Sequence, residues 1–272
     1  MIRKICERLA VFLVCLLFSL GFVSSLAAAP QPEDPEDIPQ LEGGPEYAER
    51  DPSPVDIGIL HQQYPETVIY RGSHDVSQVA LTFDDGPDPR FTPEILDILQ
   101  EFDVPATFFV LGARAERYPE TILRMENEGH VIGNHTFWHP NLVVEGIGRL
   151  DWELPQAEQV IEETVGYRPL LFRAPYGNLN EDIVERLADF GNVAVGWTVD
   201  SQDWRQLSGD EIAANVLTNT QPGDVILMHD GGNWDQDLTG TVESLRTIIP
   251  ELQAQGIEFV TIPEMFNIPR AK

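Results

Sequence analysis

The sequence predicts an α/β fold, with a parallel sheet of about seven strands covered by helices. Three observations predict it. Strand-like apolar runs alternate with segments of helical period from Val79 to Ile262. The runs are apolar at consecutive positions, as strands buried on both faces require. The residues that carry chemistry follow the carboxyl ends of those runs, which in a parallel sheet form one rim.

Taken in order, Val79–Phe83 reads as the first buried strand. Thr92–Phe102 follows as a helix, with Thr92 as N-cap and Pro93 at the first helical position. Ala106–Leu111 is the second strand, and Tyr118–Glu128 a helix closed by Gly129. Val131–Gly133 is the third, with helical spacing within Leu150–Val165. Leu170–Phe172 is the fourth, before a helix over Asn180–Phe190 stopped by Gly191. Val193–Val199 is the fifth, with a helix over Ser208–Leu217. Asp224–Met228 is the sixth, with a helix from Thr241 to Gln255, and Glu258–Ile262 is the seventh. Such a set either closes as a barrel or opens as a doubly wound sheet. No GxGxxG or GxxxxGK[ST] occurs, so a nucleotide-binding sheet has no support.

Two segments precede this domain. Residues 1–29 hold Arg3 and Lys4, an apolar run from Leu9 to Phe22, and the small residues Ser24 to Ala29. That is the pattern of a secretory signal cleaved after Ala27, or of an uncleaved signal anchor. Either places the rest outside the cytoplasm: secreted, periplasmic or tethered to the outer face of the membrane. Residues 30–54 carry seven prolines and eight acidic residues against one Arg, the composition of a disordered, solvated linker. The globular domain is expected over residues 55–272.

The formal net charge is −28, from 17 basic and 45 acidic residues, which excludes a nucleic-acid partner in need of a basic face. It equally disfavours docking on anionic lipid, so membrane contact is expected only through an N-terminal anchor. The surface is either salt-adapted or merely self-repelling. Both cysteines, Cys6 and Cys15, lie in the leader, so cysteine catalysis is excluded from the domain. A serine esterase also fails, because no GxSxG elbow occurs.

The chemistry sits in short islands. His135 and His139 are four apart; on a helical turn both rings would share one side and one metal. Thr136 stands where a zinc peptidase needs Glu, so the base must come from elsewhere. Asp85 is the natural third ligand, and two His with one Asp leave a position open for water. Asp84-Asp85-Gly86-Pro87 can also be read as an ordinary turn. Arg173 is either a surface cation or the guanidinium that keeps Asp84 ionised and aimed. His229 ends an apolar strand, and Asp200 is a candidate partner favouring its protonated form. His61, His74 and His130 are taken as structural or surface residues.

Leu81–Pro89, His135–His139, Arg173–Gly177, Asp200–Trp204 and Leu227–Asp230, in this order, resemble a NodB-type polysaccharide deacetylase of the fourth carbohydrate esterase family. The likeness runs from about Val68 to Phe266. It implies a distorted, incompletely closed (β/α) barrel of about seven strands. It implies Asp84 as the base, Asp85, His135 and His139 as ligands of one divalent metal, and His229 as the acid with Asp200 as partner. It further implies the Tyr176 backbone N–H as an oxyanion donor, and Trp204 and Leu227 as the acetate pocket. Zinc is the default for this donor set, with cobalt, nickel or manganese as alternatives. The implied activity is removal of N-acetyl groups from an extracellular amino-sugar polymer such as peptidoglycan or a chitin-like glycan, releasing acetate. The alternatives are an O-acetyl esterase acting on acetylxylan and a non-catalytic wall-binding protein on the same scaffold. Trp138 departs from the small or polar residue usual before the second His, and bears on substrate choice.

Overall fold

The computed structural model describes residues 38–44 and 55–272. The leader and most of the acidic stretch, on which the signal and linker expectations fall, lie outside the described residues. Among the described residues no helix is long and apolar enough to cross a membrane. Residues 38–44, inside the stretch expected to be solvated, are packed on the domain, with Ile38 and Leu41 buried.

The chain opens with α1 (Ile57–Gln63), β1 (Val68–Ile69) and β2 (Gln78–Asp84). Then come α2 (Thr92–Phe102), β3 (Thr107–Val110), α3 (Gly112–Arg117), α4 (Pro119–Asn127) and β4 (Val131–Asn134). The middle holds α5 (Leu142–Glu145), α6 (Ile147–Val165), β5 (Leu171–Phe172), α7 (Glu181–Phe190), β6 (Val193–Val195) and β7 (Val199–Asp200). The last part is α8 (Gly209–Asn219), β8 (Val225–His229), α9 (Thr239–Ala254), β9 (Glu258–Phe259) and α10 (Ile262–Phe266).

The strands run β1-β6-β5-β4-β3-β2-β8-β7, with β9 added beside β2, and every pairing in the sheet is parallel. The sheet curls into an open half-barrel with helices around it, so the barrel-like alternative holds over the doubly wound sheet. The two-residue period of β2 sorts its side chains. Val79, Leu81 and Phe83 point outward into the core shared with α2 and α9. Ala80 faces inward with Phe109, Leu171 and Val225, and Asp84 shares that parity. Strand β8 repeats the pattern: Ile226 and Met228 pack outward, leaving Val225, Leu227 and His229 on the inner face. Phe83, fully buried, stacks on Phe108 at 5.0 Å. Truncating such a residue costs about 3–5 kcal/mol, so the outer core holds the strands in place.

The single strand expected over 193–199 is two strands. Arg173 is the reason: its Nε donates to the Val195 carbonyl at 3.1 Å and its Nη2 to the Gly196 carbonyl at 3.3 Å. After that break β7 leaves its neighbour β6 and joins β8 at the other end of the sheet. Five further helices and strands, α1, β1, α3, α5 and α10, are additions to the expected set.

Candidate active site

Register brings the candidate residues to one rim. Parallel pairing sets Asp84 level with His229 on β8 and with Phe109 on β3. Asn134, the residue before His135, is level with Val110 and with Phe172, the residue before Arg173.

The first three side chains converge. His135 Nε2 lies 3.3 Å and His139 Nε2 3.2 Å from Asp85 Oδ1, and all three residues are buried. His135 Nδ1 sits 2.8 Å from the Arg173 carbonyl, so it carries a proton, and in the neutral ring Nε2 is a lone pair. That lone pair faces Asp85 Oδ1, a buried acceptor with no hydrogen-bond donor of its own. Acceptors facing one another in a dry pocket repel unless a cation lies between them. Ligands at about 2.0–2.1 Å from a tetrahedral ion stand ~3.3 Å apart, which is the spacing found. The residues therefore fit a divalent metal. The electrostatics of the site favour positive charge, whether a proton or a metal ion. Burial opposes charge on His135, but the Asp84 and Asp85 carboxylates and the Arg173 carbonyl outweigh it and raise its pKa. Burial likewise opposes ionisation of Asp85, yet the His139 and His135 rings pull its pKa far below the carboxylate range.

The two histidines do not sit on a helical turn. Residues 135–139 form a loop, with Thr136 at φ 71° and His139 at φ 64°. Side chains replace the helix in holding it. Asn134 Oδ1 accepts from Thr136 N at 2.7 Å, and Thr136 Oγ1 accepts from His139 N at 2.9 Å. Glu153 Oε2, from α6, accepts the backbone N–H groups of both Phe137 and Trp138 at 2.7 and 2.8 Å. The Trp138 ring, half-buried, meets Phe137 edge-on at 5.1 Å.

Asp84 has a different surrounding from its neighbour. Its Oδ1 accepts from Arg173 Nη1 at 2.7 Å, and its Oδ2 is 3.8 Å from His135 Nε2. Arg173 is itself clamped: Nη1 also donates to Thr82 Oγ1 at 2.9 Å, and the guanidinium lies 4.1 Å over the Phe109 ring. It is a buried cation with a full set of acceptors, not a surface charge.

On the other side of Asp84 is His229. Its Nδ1 is 2.7 Å from Asp203 Oδ1. The expected partner was Asp200, and this is a correction. Asp200 Oδ1 accepts from Gln202 N at 2.8 Å and from the Trp204 indole at 3.3 Å. The cause is local. Gln202 adopts a left-handed conformation and starts a 3₁₀ turn over Asp203–Arg205, which swings Asp203 under β8. Burial opposes ionisation of Asp203. Attraction to His229 and donors from His229 and Thr241 outweigh it and lower its pKa. Trp204 is half-buried and Leu227 fully buried on the inner face. Tyr176 takes φ 62° within a 3₁₀ turn at Pro175–Gly177, and its ring meets His139 edge-on at 4.5 Å.

Behind this rim is a network that the sequence reading missed. Arg114, fully buried, donates to the Asp85 carbonyl at 3.0 Å and to the Gly232 carbonyl at 2.5 Å. Arg90 grips Asp88 through Nε and Nη2. Thr92 Oγ1 donates to Asp230 Oδ2 at 2.7 Å. Burial, reinforced by Asp85 and Asp88, raises the Asp230 pKa to about 7 despite that bond. The sequence signal was present for Asp203 and Asp230, acids beside singled-out residues; for Arg114 there was none.

A parallel half-barrel with paired carboxylates, two histidines that fit a metal and a buried His–Asp pair on its carboxyl rim has the makings of a hydrolase of the carbohydrate esterase kind. The chain belongs to the polysaccharide deacetylase family: the family's model matches residues 71–195. It is 43% identical over 205 residues to a peptidoglycan-N-acetylglucosamine deacetylase of Bacillus cereus, covering 75% of this chain and 73% of that one. It is 39% identical over 206 residues to a chitooligosaccharide deacetylase of Sinorhizobium fredii, covering 71% and 94% respectively. A solved peptidoglycan N-acetylglucosamine deacetylase superposes with a TM-score of 0.75 at 40% identity, over 78% of this chain and 99% of that one. A pseudoenzyme of carbohydrate esterase family 4 from Bacillus anthracis also superposes, with a TM-score of 0.68 at 29% identity, over 73% and 68%. The scaffold thus also exists in an inactive form.

Proposed function

We propose that the chain hydrolyses the N-acetyl groups of a β-linked N-acetylglucosamine polymer, peptidoglycan or a chitin-like glycan, to free amine and acetate. The observation that carries this is the flanking of one point by Asp84 and His229. They are register neighbours across β2 and β8, each held by its own buried counter-ion, Arg173 and Asp203. A carboxylate ion-paired to a guanidinium on one side and an imidazole bonded to a carboxylate on the other offer the base and acid that amide hydrolysis needs.

Asp85, His135 and His139 would hold one divalent ion, with zinc first among candidates and cobalt, nickel or manganese as alternatives. When bound it supplies Lewis acidity toward the acyl oxygen and the attacking water. Asp84 takes the proton from that water as its oxygen adds to the acetyl carbon. The Tyr176 backbone N–H donates to the developing oxyanion. His229 then delivers a proton to the sugar nitrogen as the C–N bond breaks, and Asp203 stabilises the imidazolium before that transfer. Leu227 and Trp204 bound the space for the acetyl methyl.

The same rim would serve an O-acetyl ester. The relatives named as N-acetylglucosamine and chitooligosaccharide deacetylases favour the amide. The deacetylases named for peptidoglycan also favour export, with residues 1–29 as signal or anchor and residues 55–272 as the catalytic domain. Acetate release measured across chitin oligomers, peptidoglycan and acetylxylan tests the reading. Release from N-acetylglucosamine substrates should dominate; much faster deacetylation of acetylxylan than of every N-acetylglucosamine oligomer would establish the esterase instead.

A further inference from the structure

The stretch Ile38–Gly44 lies upstream of the family match at residues 71–195 and comes from a segment whose composition reads as solvated. Yet it is bonded to the candidate metal centre at successive residues. Glu42 N donates to the Trp138 carbonyl at 2.9 Å, and Gly43 N to the His139 carbonyl at 3.1 Å. The Gly44 carbonyl accepts the Tyr176 hydroxyl at 3.0 Å. The Pro39 carbonyl accepts from Arg114 Nε at 2.9 Å, and Leu41 N donates to Asn233 Oδ1 at 3.2 Å. Glu42 is paired with Arg149 of α6.

We infer that Ile38–Gly44 is a positioning strap for His139 and Tyr176, and so a working part of the site. His139 is a non-glycine residue in the left-handed region, a conformation that costs about 1–3 kcal/mol unless its surroundings impose it. Its N–H is held by Thr136 from within the loop, and its C=O by Gly43 from the strap. With both backbone groups fixed, the ring keeps its Nε2 on Asp85. The Tyr176 ring, edge-on to His139, is pinned at its far end by Gly44. Arg114 joins the strap to the other half of the site. One guanidinium holds the Pro39 carbonyl, the carbonyl of the ligand Asp85, and the Gly232 carbonyl beyond His229.

Only glycine fits at 43. An added Cβ would stand 2.2 Å from the Tyr176 hydroxyl and 2.7 Å from the His139 carbonyl oxygen. Any side chain must push the strap off the two groups that it holds.

The inference rests on the metal reading proposed above, and two readouts separate them. Gly43→Ala and Gly43→Val, made in the full chain, are compared with the parent and with Gln159→Ala. Gln159 is exposed on α6, and its side chain donates to Glu163 of the same helix, away from the strap. Zinc affinity is measured by chelator competition, and the His139 imidazole nitrogens by NMR on metal-free protein. Both Gly43 variants should bind zinc roughly 10-fold more weakly or worse, the scale for losing a group that orients a ligand. The His139 resonances should move, and Gln159→Ala should match the parent in both. Zinc affinity within twofold of the parent in both Gly43 variants, or unmoved His139 resonances in Gly43→Val, overturns the strap. Parent protein that takes up no zinc would sink the metal reading instead, leaving the strap to be judged on the resonances.

Discussion

Asp203 holds His229 twice: Oδ1 meets the ring Nδ1 at 2.7 Å, and Oδ2 accepts the backbone N–H of the same residue at 2.7 Å. Ring and main chain are thus fixed by one carboxylate, which Thr241 Oγ1 steadies at 3.0 Å. Nε2 is left as the only ring nitrogen able to address a substrate. Asp203→Asn should therefore cost roughly 10²-fold or more in kcat, on the scale of losing an acid–base group, with metal content unchanged. Asp200→Asn should cost much less, since Asp200 serves Trp204 and Gln202. A larger loss in Asp200→Asn than in Asp203→Asn would reverse the assignment.

Arg173 is the second lever. Its guanidinium serves Asp84, Thr82 and the carbonyls of Val195 and Gly196 together. An ammonium cannot span that fork, so Arg173→Lys is not conservative here. Arg173→Met strands the buried Asp84 charge and should destabilise by about 3–5 kcal/mol. Chemical denaturation checks this. A loss below about 1 kcal/mol in Arg173→Met would mean that Asp84 is not tied to it.

Acid sensitivity should centre on His130, buried at the start of β4. Its Nδ1 accepts from Ala106 N at 3.1 Å and so cannot take a proton without losing that bond. Burial, with Arg124 nearby and despite Glu128, lowers its pKa to about 4 from 6.5. The unfolded chain binds this proton below about pH 6.5, whereas the folded chain resists until about 4. The contribution is thus whole above 6.5 and lost as pH falls toward 4, up to about 3 kcal/mol. Denaturation midpoints at pH 7 and pH 4.5 should converge in His130→Gln relative to the parent. An identical pH slope in both proteins would remove His130 as the cause.

Trp234 is about half exposed, on the loop that leaves His229, and Arg90 Nη1 holds its carbonyl at 2.9 Å. An exposed indole on a fixed backbone, downstream of the proposed acid His229, offers an apolar face on which a neighbouring sugar ring can stack. Trp234→Ala should raise KM for long N-acetylglucosamine oligomers several-fold and change it little for the dimer. Equal effects at every length would show that no remote sugar rests there.

What the sequence made legible follows from what its residues can do. Asp84, Asp85, His135, Arg173 and His229 were readable because each is a chemically loaded residue ending an apolar strand. Burial there demands a reason. Register alone then brings them together. The Asp200 expectation failed because its three-residue offset from Asp203 is decided by a left-handed turn at Gln202, which no local pattern announces. The histidine pair was expected on a helix; Asn134, Thr136 and Glu153 hold it in a loop instead, through bonds that span up to 16 residues. The strap was hidden by composition. Its prolines and acids read as solvated, and only Ile38 and Leu41 hint at anchoring. The break at Gly196 depends on a guanidinium that arrives from another strand.

In the proposed mechanism adjacent aspartates divide the labour, Asp85 for the metal and Asp84 for the proton. Metal stoichiometry by elemental analysis of Asp84→Asn and Asp85→Asn, each purified in parallel with the parent, tests it most directly. Asp84→Asn should keep one divalent ion per chain, and Asp85→Asn should lose it. Full occupancy in Asp85→Asn, with loss in Asp84→Asn, would contradict the assignment.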